Sequence, residues 1–263
     1  MSRDPASEGR VSIRTLDQLA LWSSLSIVVA LSWWYLFLLA QDMADMAGMP
    51  MGDMAGMHPW TALDFLLMFL MWAVMMVGMM VPTAVRAIYI YARVASQAQA
   101  RGSPVAATQI FVAGYVLVWA AFSLGATALQ AALDALGLLS PAMRSSSPLL
   151  GAGLLVAAGV YQLTPWKDTC LRHCQSPAAY LAGRFGPRAL DALSLGIRHG
   201  LYCLGCCWVL MLLLFLGGVM NLLWIAAIAA FVLLEKVLPP ALRVSRLAAV
   251  MMIASGAAYL MIA

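Results

Sequence analysis

The sequence contains few charged residues. Only 10% of its residues are Asp, Glu, Lys or Arg and 64% are hydrophobic, against about 25% and about 45–50% in soluble domains. A chain of this composition cannot hide its apolar surface inside a water-soluble globule. No basic domain lies outside the apolar segments, so we expect no nucleic-acid partner. No Walker, Rossmann or hydrolase motif occurs, which excludes an ATP-driven pump and the common nucleotide-dependent enzymes.

Long apolar runs occupy most of the chain, and none alternates polar and apolar residues as a membrane barrel does. Helices are therefore the expected spanning elements. We predict an all-α, polytopic transmembrane helix bundle in a lipid bilayer. Residues 200–236 either break near Gly217 and Gly218 into two short spans or form one long span. The seven predicted spans are residues 19–40, 61–82, 107–133, 148–165, 200–217, 220–236 and 245–263.

Basic residues are absent from one side of this predicted bundle, with the exception of Arg144. The other 14 of the 15 basic residues precede the first span or lie in alternate loops. The positive-inside rule then places the N-terminus in the cytoplasm and the C-terminus outside. We expect a cytoplasmic tail over residues 1–18 and one transmembrane domain over 19–263. An outer loop covers 41–58, and a cytoplasmic loop covers 166–199.

The outer loop is rich in methionine. Thioether sulfur favours Cu(I) over hard ions and needs no deprotonation, so it suits an oxidising compartment. Gly and Pro interrupt any helix here, which predicts a flexible loop. A low-complexity linker is the alternative interpretation. The candidate ligands in this loop are Met43, Met46, Met49, Met51, Met54, Met57 and His58.

Methionine also recurs along the second predicted span. Four of these residues, at steps of three and four, share one helix face, with two more beside them. They predict intermediate sites for Cu(I), although methionine is also a common packing residue. Pro82 should end or kink this helix. The six residues are Met68, Met71, Met75, Met76, Met79 and Met80.

Cysteine is scarce, and all five residues lie between positions 170 and 207. A reducing cytoplasmic face disfavours structural disulfides. If both segments are helical, each places two or three sulfurs on one face, and together they form a candidate Cu(I) or Zn(II) site. Small apolar packing is the alternative. The candidate ligands are Cys170, Cys174, Cys203, Cys206 and Cys207.

Two histidines and one charged pair accompany the cysteines. His173 precedes Cys174 directly, and His199 lies one helical turn before Cys203, so both are candidate ligands. Glu235 and Lys236 close the sixth predicted span. We interpret them as an interfacial ion pair, although the pair could instead support the nearby thiols.

Three segments carry a family resemblance: MWAVMMVGMMVPT from Met71, YQLTPWKDTCLRHCQSP from Tyr161 and GLYCLGCCWVLM from Gly200. The chain resembles, over about residues 60–262, a bacterial family of uncharacterised proteins described as predicted metal-binding integral membrane proteins. The resemblance implies metal binding by the five cysteines and by Met75, Met76, Met79 and Met80. His173 lies where the family is not expected to require histidine.

These features favour a metal-handling protein of the bacterial inner membrane over an enzyme. We expect Cu(I) as the ion, with Zn(II) as the alternative, and a copper chaperone or a membrane complex as partner. Two other functions remain open. One is a membrane thiol or metal-centred redox enzyme that uses Cys203-x-x-Cys206. The other is a structural subunit of a membrane complex.

Overall fold

The computed structural model describes residues 5–47, 60–103, 105–140, 143–239 and 244–262. These residues are almost entirely helical, with one isolated β-bridge between Leu139 and Ser145, so the predicted all-α fold is confirmed. The helices are α1 (Pro5–Ala47), α2 (Ala62–Ala100), α3 (Thr108–Ala135), α4 (Pro148–Gln162), α5 (Pro165–Gln175), α6 (Pro177–Leu181), α7 (Ala189–Leu212), α8 (Leu214–Gly217), α9 (Leu222–Val237) and α10 (Val244–Ile262).

Five helical segments in this part of the chain are long and apolar enough to cross a membrane. They lie in α1, α2, α3, α7 with α8, and α10. A sixth span arises if α4 and α5, which meet at 66°, are counted as one broken span. The predicted number of seven is not confirmed, because α9 has only 16 residues. The orientation of the chain across the membrane stays a prediction.

Helix α2 does not end at Pro82 but continues to Ala100. The carbonyl of Met80, just before the proline, accepts hydrogen bonds from the hydroxyls of Thr83 at 2.8 Å and Tyr115 at 2.9 Å. The Tyr115 bond ties α2 to α3 next to the proline. The carbonyl that Pro82 deprives of its helical partner is that of Gly78. The second predicted break is confirmed, since α8 ends at Gly217 and Gly218 has a φ of 96°.

The Met-rich segment differs in part from the predicted loop. Helix α1 continues to Ala47, so the first seven of the residues 41–58 are helical. Residues 48–59 and the side chains of 43–47 lie outside the described part of the chain, together with the candidate ligands there.

Helix α7 occupies the centre of the bundle and packs closely on α3. The contact depends on glycine, because a Cβ atom on Gly196 would collide with the carbonyl of Phe111, and one on Gly114 with the carbonyl of Leu193. Helix α5 covers another face of α7, α2 packs on α3, and α4 pairs with α10. This packing places the thiols of α7 between α2, α3, α5 and α9.

Candidate metal centre

Three cysteines lie on a single face of α7. Cys203, Cys206 and Cys207 are spaced i, i+3 and i+4, which directs their side chains to the same side of a helix. All three are at most 1% exposed. Thiols in this setting are shielded from water and from the lipid tails, and they face the neighbouring helices.

Helix α5 brings a fourth cysteine to this face. Its start is fixed by Thr164, whose hydroxyl accepts from the backbone N–H of Lys167, and by Pro165 in the first turn. Cys174, the second-last residue of α5, is buried, and its side chain is a neighbour of Cys203 and Cys206 where α5 packs on α7. The two cysteine segments therefore meet, which their predicted location at one face of the membrane allowed but did not establish.

Cys170 lies at the edge of this group, one turn before Cys174. Its Sγ atom rests on the backbone of Gly205, where an added Cβ atom would approach it to 2.7 Å. It is the only one of the five cysteines that is not fully buried. We define the thiol cluster as Cys174, Cys203, Cys206 and Cys207, with Cys170 as its exposed neighbour.

Three polar groups from other helices converge on the sulfur of Cys203. The ammonium of Lys236 donates to it at 2.9 Å, and the hydroxyl of Tyr115 lies 3.0 Å away. The hydroxyl of Thr83 is 3.9 Å from the same sulfur and accepts from Lys236 at 2.9 Å. The ammonium of Lys236 donates to this sulfur and carries a positive charge, which stabilises negative charge on that atom. The protons of the two hydroxyls are used by the carbonyl of Met80.

The interpretation of Glu235 and Lys236 as an interfacial ion pair is wrong. Glu235 accepts from Lys167 at 2.7 Å and from Ser245 at 2.7 Å, and the Lys167–Glu235 pair is almost completely buried. Lys236 is 4% exposed and makes no salt bridge to a described carboxylate. Because adjacent residues on a helix point in different directions, the two side chains serve different neighbours. Lys236 supports the thiols, as the alternative interpretation held.

The thiols of Cys206 and Cys207 both donate to the carbonyl of Cys203, at 3.0 and 3.1 Å. In this arrangement no group of three or more His, Cys, Asp or Glu side chains within the described ranges is set to hold a metal ion. The donor set, all soft sulfur beside a cation, fits Cu(I) better than a hard ion.

The two histidines have different surroundings. His199 is 3% exposed, and its Nδ1 atom has no hydrogen-bond partner among the described residues. Its ring lies beside Phe111 and Tyr115, one turn from Cys203. His173 is bonded through Nδ1 to the carbonyl of Thr169 at 2.7 Å and stacks on Tyr202. His199 therefore has a free buried nitrogen next to the cluster, whereas His173 is engaged elsewhere.

The methionines of α2 lie in the core of the bundle. Five of them are at most 2% exposed, and Met68, nearest the start of α2, is partly exposed. Met80, the last of these methionines along α2, lies next to the thiol cluster. Its carbonyl accepts from the Tyr115 hydroxyl, which also contacts the sulfur of Cys203. The five buried residues are Met71, Met75, Met76, Met79 and Met80.

Sequence reasoning did not single out Thr83 or Tyr115. Their only signal is a hydroxyl group on an otherwise apolar helix, which is common in membrane proteins. The contact partners of Cys203 lie 120, 88 and 33 residues away in the sequence for Thr83, Tyr115 and Lys236. Proximity over such separations follows from the packing of α2, α3 and α9 around α7.

The fold and the cluster define a helical protein with several helices able to cross a membrane and a buried, sulfur-rich site next to a lysine. The PpoB2 family model, described as a copper chaperone, matches residues 69–259, which is nearly three quarters of the chain. The chain belongs to this family, and its function is therefore related to copper. The family description gives no support to zinc. No curated protein and no solved structure matches the chain.

Proposed function

We propose that this protein is a membrane-embedded copper chaperone of the bacterial inner membrane that binds Cu(I) at the thiol cluster and passes it to a partner protein. The observation that carries the proposal is the packing of α5, which carries Cys174 near its end, on α7, where Cys203 and Cys206 are buried beside the ammonium of Lys236. Two or three thiolates are the donors that Cu(I) prefers.

Charge explains the role of the lysine. Each thiol that becomes a ligand gives up its proton, so one Cu(I) ion with two thiolates carries a net charge of −1. Burial of an unpaired charge costs several kcal/mol. The ammonium of Lys236, in contact with Cys203, neutralises this complex within the apolar core. Copper stays in the Cu(I) state throughout, so binding and release need no electron donor.

The buried methionines of α2 supply a second part of the proposal. Neutral thioethers hold Cu(I) more weakly than charged thiolates, because thiolate adds electrostatic attraction to softness. Met75, Met76 and Met79 thus provide intermediate positions, and the thiol cluster is the tighter end of the series. The Met-rich segment 41–58 is proposed to collect copper on the outer side, and inward movement follows from this gradient.

Copper analysis of the purified full chain tests the proposal. Protein in detergent with reductant is loaded with Cu(I), and retained copper is measured against a competing chelator. We expect retention by the wild type and loss in Cys203→Ser and Cys206→Ser, since a hydroxyl is a poor Cu(I) ligand. Cys170→Ser is the matched control and should retain copper, because Cys170 lies outside the thiol cluster.

Two results would overturn the proposal. One is full copper retention in the double variant Cys203→Ser/Cys206→Ser with an unchanged helical circular dichroism spectrum. The other is a wild type that holds no copper but forms a Cys203–Cys206 disulfide, which would favour the thiol redox function.

A further inference from the structure

Gln130 places an amide group among sulfur atoms in the core. It lies on α3 and is 1% exposed. Its Oε1 atom accepts from the indole N–H of Trp72 at 2.6 Å. Its Nε2 atom donates to two thioether sulfurs, Sδ of Met143 at 3.2 Å and Sδ of Met68 at 3.7 Å. One carboxamide thus fixes the positions of two sulfurs from distant parts of the chain.

The two contacts from Nε2 to sulfur compensate poorly for the loss of water around the buried amide N–H groups. Thioether sulfur is a poor acceptor, and a buried polar group with poor partners destabilises a fold by about 1–3 kcal/mol. The oxygen side of the amide is well used, since it accepts from the buried indole N–H of Trp72. The nitrogen side faces only the two thioethers, so its contacts act mainly on the positions of those sulfurs.

Met143 is held in place by its backbone. Its φ of 53° lies in the left-handed region, which is unfavourable for a residue with a side chain. The conformation is fixed by hydrogen bonds from its N–H to Ser140 and from the N–H of Val219 to its carbonyl. Strain of this kind persists where the surrounding structure determines it, and it often marks a functional position.

We propose that Met68 and Met143, positioned by Gln130, form a second Cu(I) site that receives the ion before it reaches the thiol cluster. The inference rests on the proposed function. Both methionines are only partly buried, so an ion can reach them from outside the core. Each sulfur uses one lone pair for the amide and keeps another for the metal. Both sulfurs lie within 3.7 Å of one nitrogen, so a small adjustment of the two flexible side chains brings them onto a single ion.

The Met68–Met143 site and the thiol cluster lie at opposite ends of one continuous face of α2. Met68, Met75, Met79 and Thr83 share this face at helical spacing, with Trp72 between the first two. Thr83 contacts Lys236 and Cys203. Fifteen residues separate Met68 from Thr83, which corresponds to about 22 Å along a helix. The receiving site and the thiol cluster are thus the two ends of one sulfur-lined helix face.

Silver(I), a soft ion that undergoes no redox chemistry, is the probe for this site. The full chain in detergent, labelled with 13C at the methionine methyl groups, is titrated with Ag(I) and followed by NMR. We expect the Met68 and Met143 signals to shift together, over the same equivalents, after the thiols are filled. Met68→Leu should raise the midpoint of the Met143 shift by about tenfold, and Gln130→Leu should have an effect of similar size on both signals.

Met251→Leu is the matched control, because Met251 is 63% exposed on α10 and far from Gln130 in the packing. It should leave both shifts unchanged. The site is disproved if Met68 and Met143 do not respond up to saturation, or respond independently of one another. Such a result leaves copper binding at the thiol cluster intact. Loss of copper at the cysteines with normal methionine shifts would instead overturn the proposed function alone.

Discussion

The ammonium nitrogen of Lys236 lies 2.9 Å from the sulfur of Cys203, and both groups are buried. The neighbouring residue Glu235 is already paired with Lys167, so the positive charge of Lys236 is directed at the thiol. This contact joins α9 to α7 and sets the electrostatic character of the whole cluster. Four predictions follow from it and from the packing around it.

Replacement of Lys236 by methionine should weaken Cu(I) binding by about ten- to a hundredfold, the usual effect of removing a group that supports metal ligands. The buried copper–thiolate complex would lose the charge that neutralises it. The measurement is competition with a Cu(I) chelator. Arg246→Met is the control, since it also removes one positive charge but from an exposed position at the start of α10. Equal affinities for the two variants would contradict the role of Lys236.

The buried Lys167–Glu235 pair should contribute strongly to stability. Lys167→Met leaves the carboxylate of Glu235 buried with only Ser245 as a partner, and a loss of about 3–5 kcal/mol is expected. The double variant Lys167→Met/Glu235→Gln should recover much of this loss. Thermal unfolding of the four proteins in detergent gives the double-mutant cycle. Additive losses would mean that the pair contributes no coupling energy.

Gly196→Ala should disrupt the contact between α3 and α7. Its methyl group would meet the backbone carbonyl of Phe111, which cannot move without shifting the helix. A fall in apparent melting temperature and in Cu(I) retention is expected. Gly125→Ala on α3 is the matched control, because nothing lies within 4 Å of its Cβ position. That variant should be neutral or slightly more stable, since alanine favours the helix.

Cysteine labelling should follow exposure. Cys170 is partly exposed, whereas Cys203, Cys206 and Cys207 are at most 1% exposed. Maleimide treatment of the folded protein, followed by peptide mass spectrometry, should modify Cys170 first and the other three only after denaturation. Rapid labelling of Cys203 in the folded protein would show that the thiol cluster is open to solvent, contrary to its position in the structure.

The helices could be predicted from the sequence because apolar runs of about 20 residues leave the backbone no other way to satisfy its hydrogen bonds in lipid. The break near Gly217 was predicted because residues 200–236 are long for a single span of about 20 residues. The length of α2 could not be predicted, since a proline either ends an apolar helix or is accommodated within it, and the packing around Pro82 decides the outcome. The number of spans also depends on packing, which leaves α9 short and bends α4 against α5.

The candidate site was predicted in outline. Helical spacing indicated which cysteines of α7 share a face, and the predicted topology placed Cys174 at the same end. The partners of the thiols were harder to predict. Lys236 stood next to an apparent ion-pair partner in the sequence, but Glu235 instead bonds to Lys167, which is 68 residues away. The role of the methionines in metal binding stays a prediction.

Cys174 belongs to a short helix, whereas the other three cysteines of the cluster belong to the long helix α7. Gln175 attaches that short helix to the last carbonyls of α9 through two hydrogen bonds, at 2.8 and 3.2 Å. Loss of those two bonds would free the end of α5, and with it Cys174, while the three cysteines of α7 keep their own helix. Under the proposed function, tight binding of the ion would use sulfurs from two segments of the chain. Its release would need the movement of only one of them.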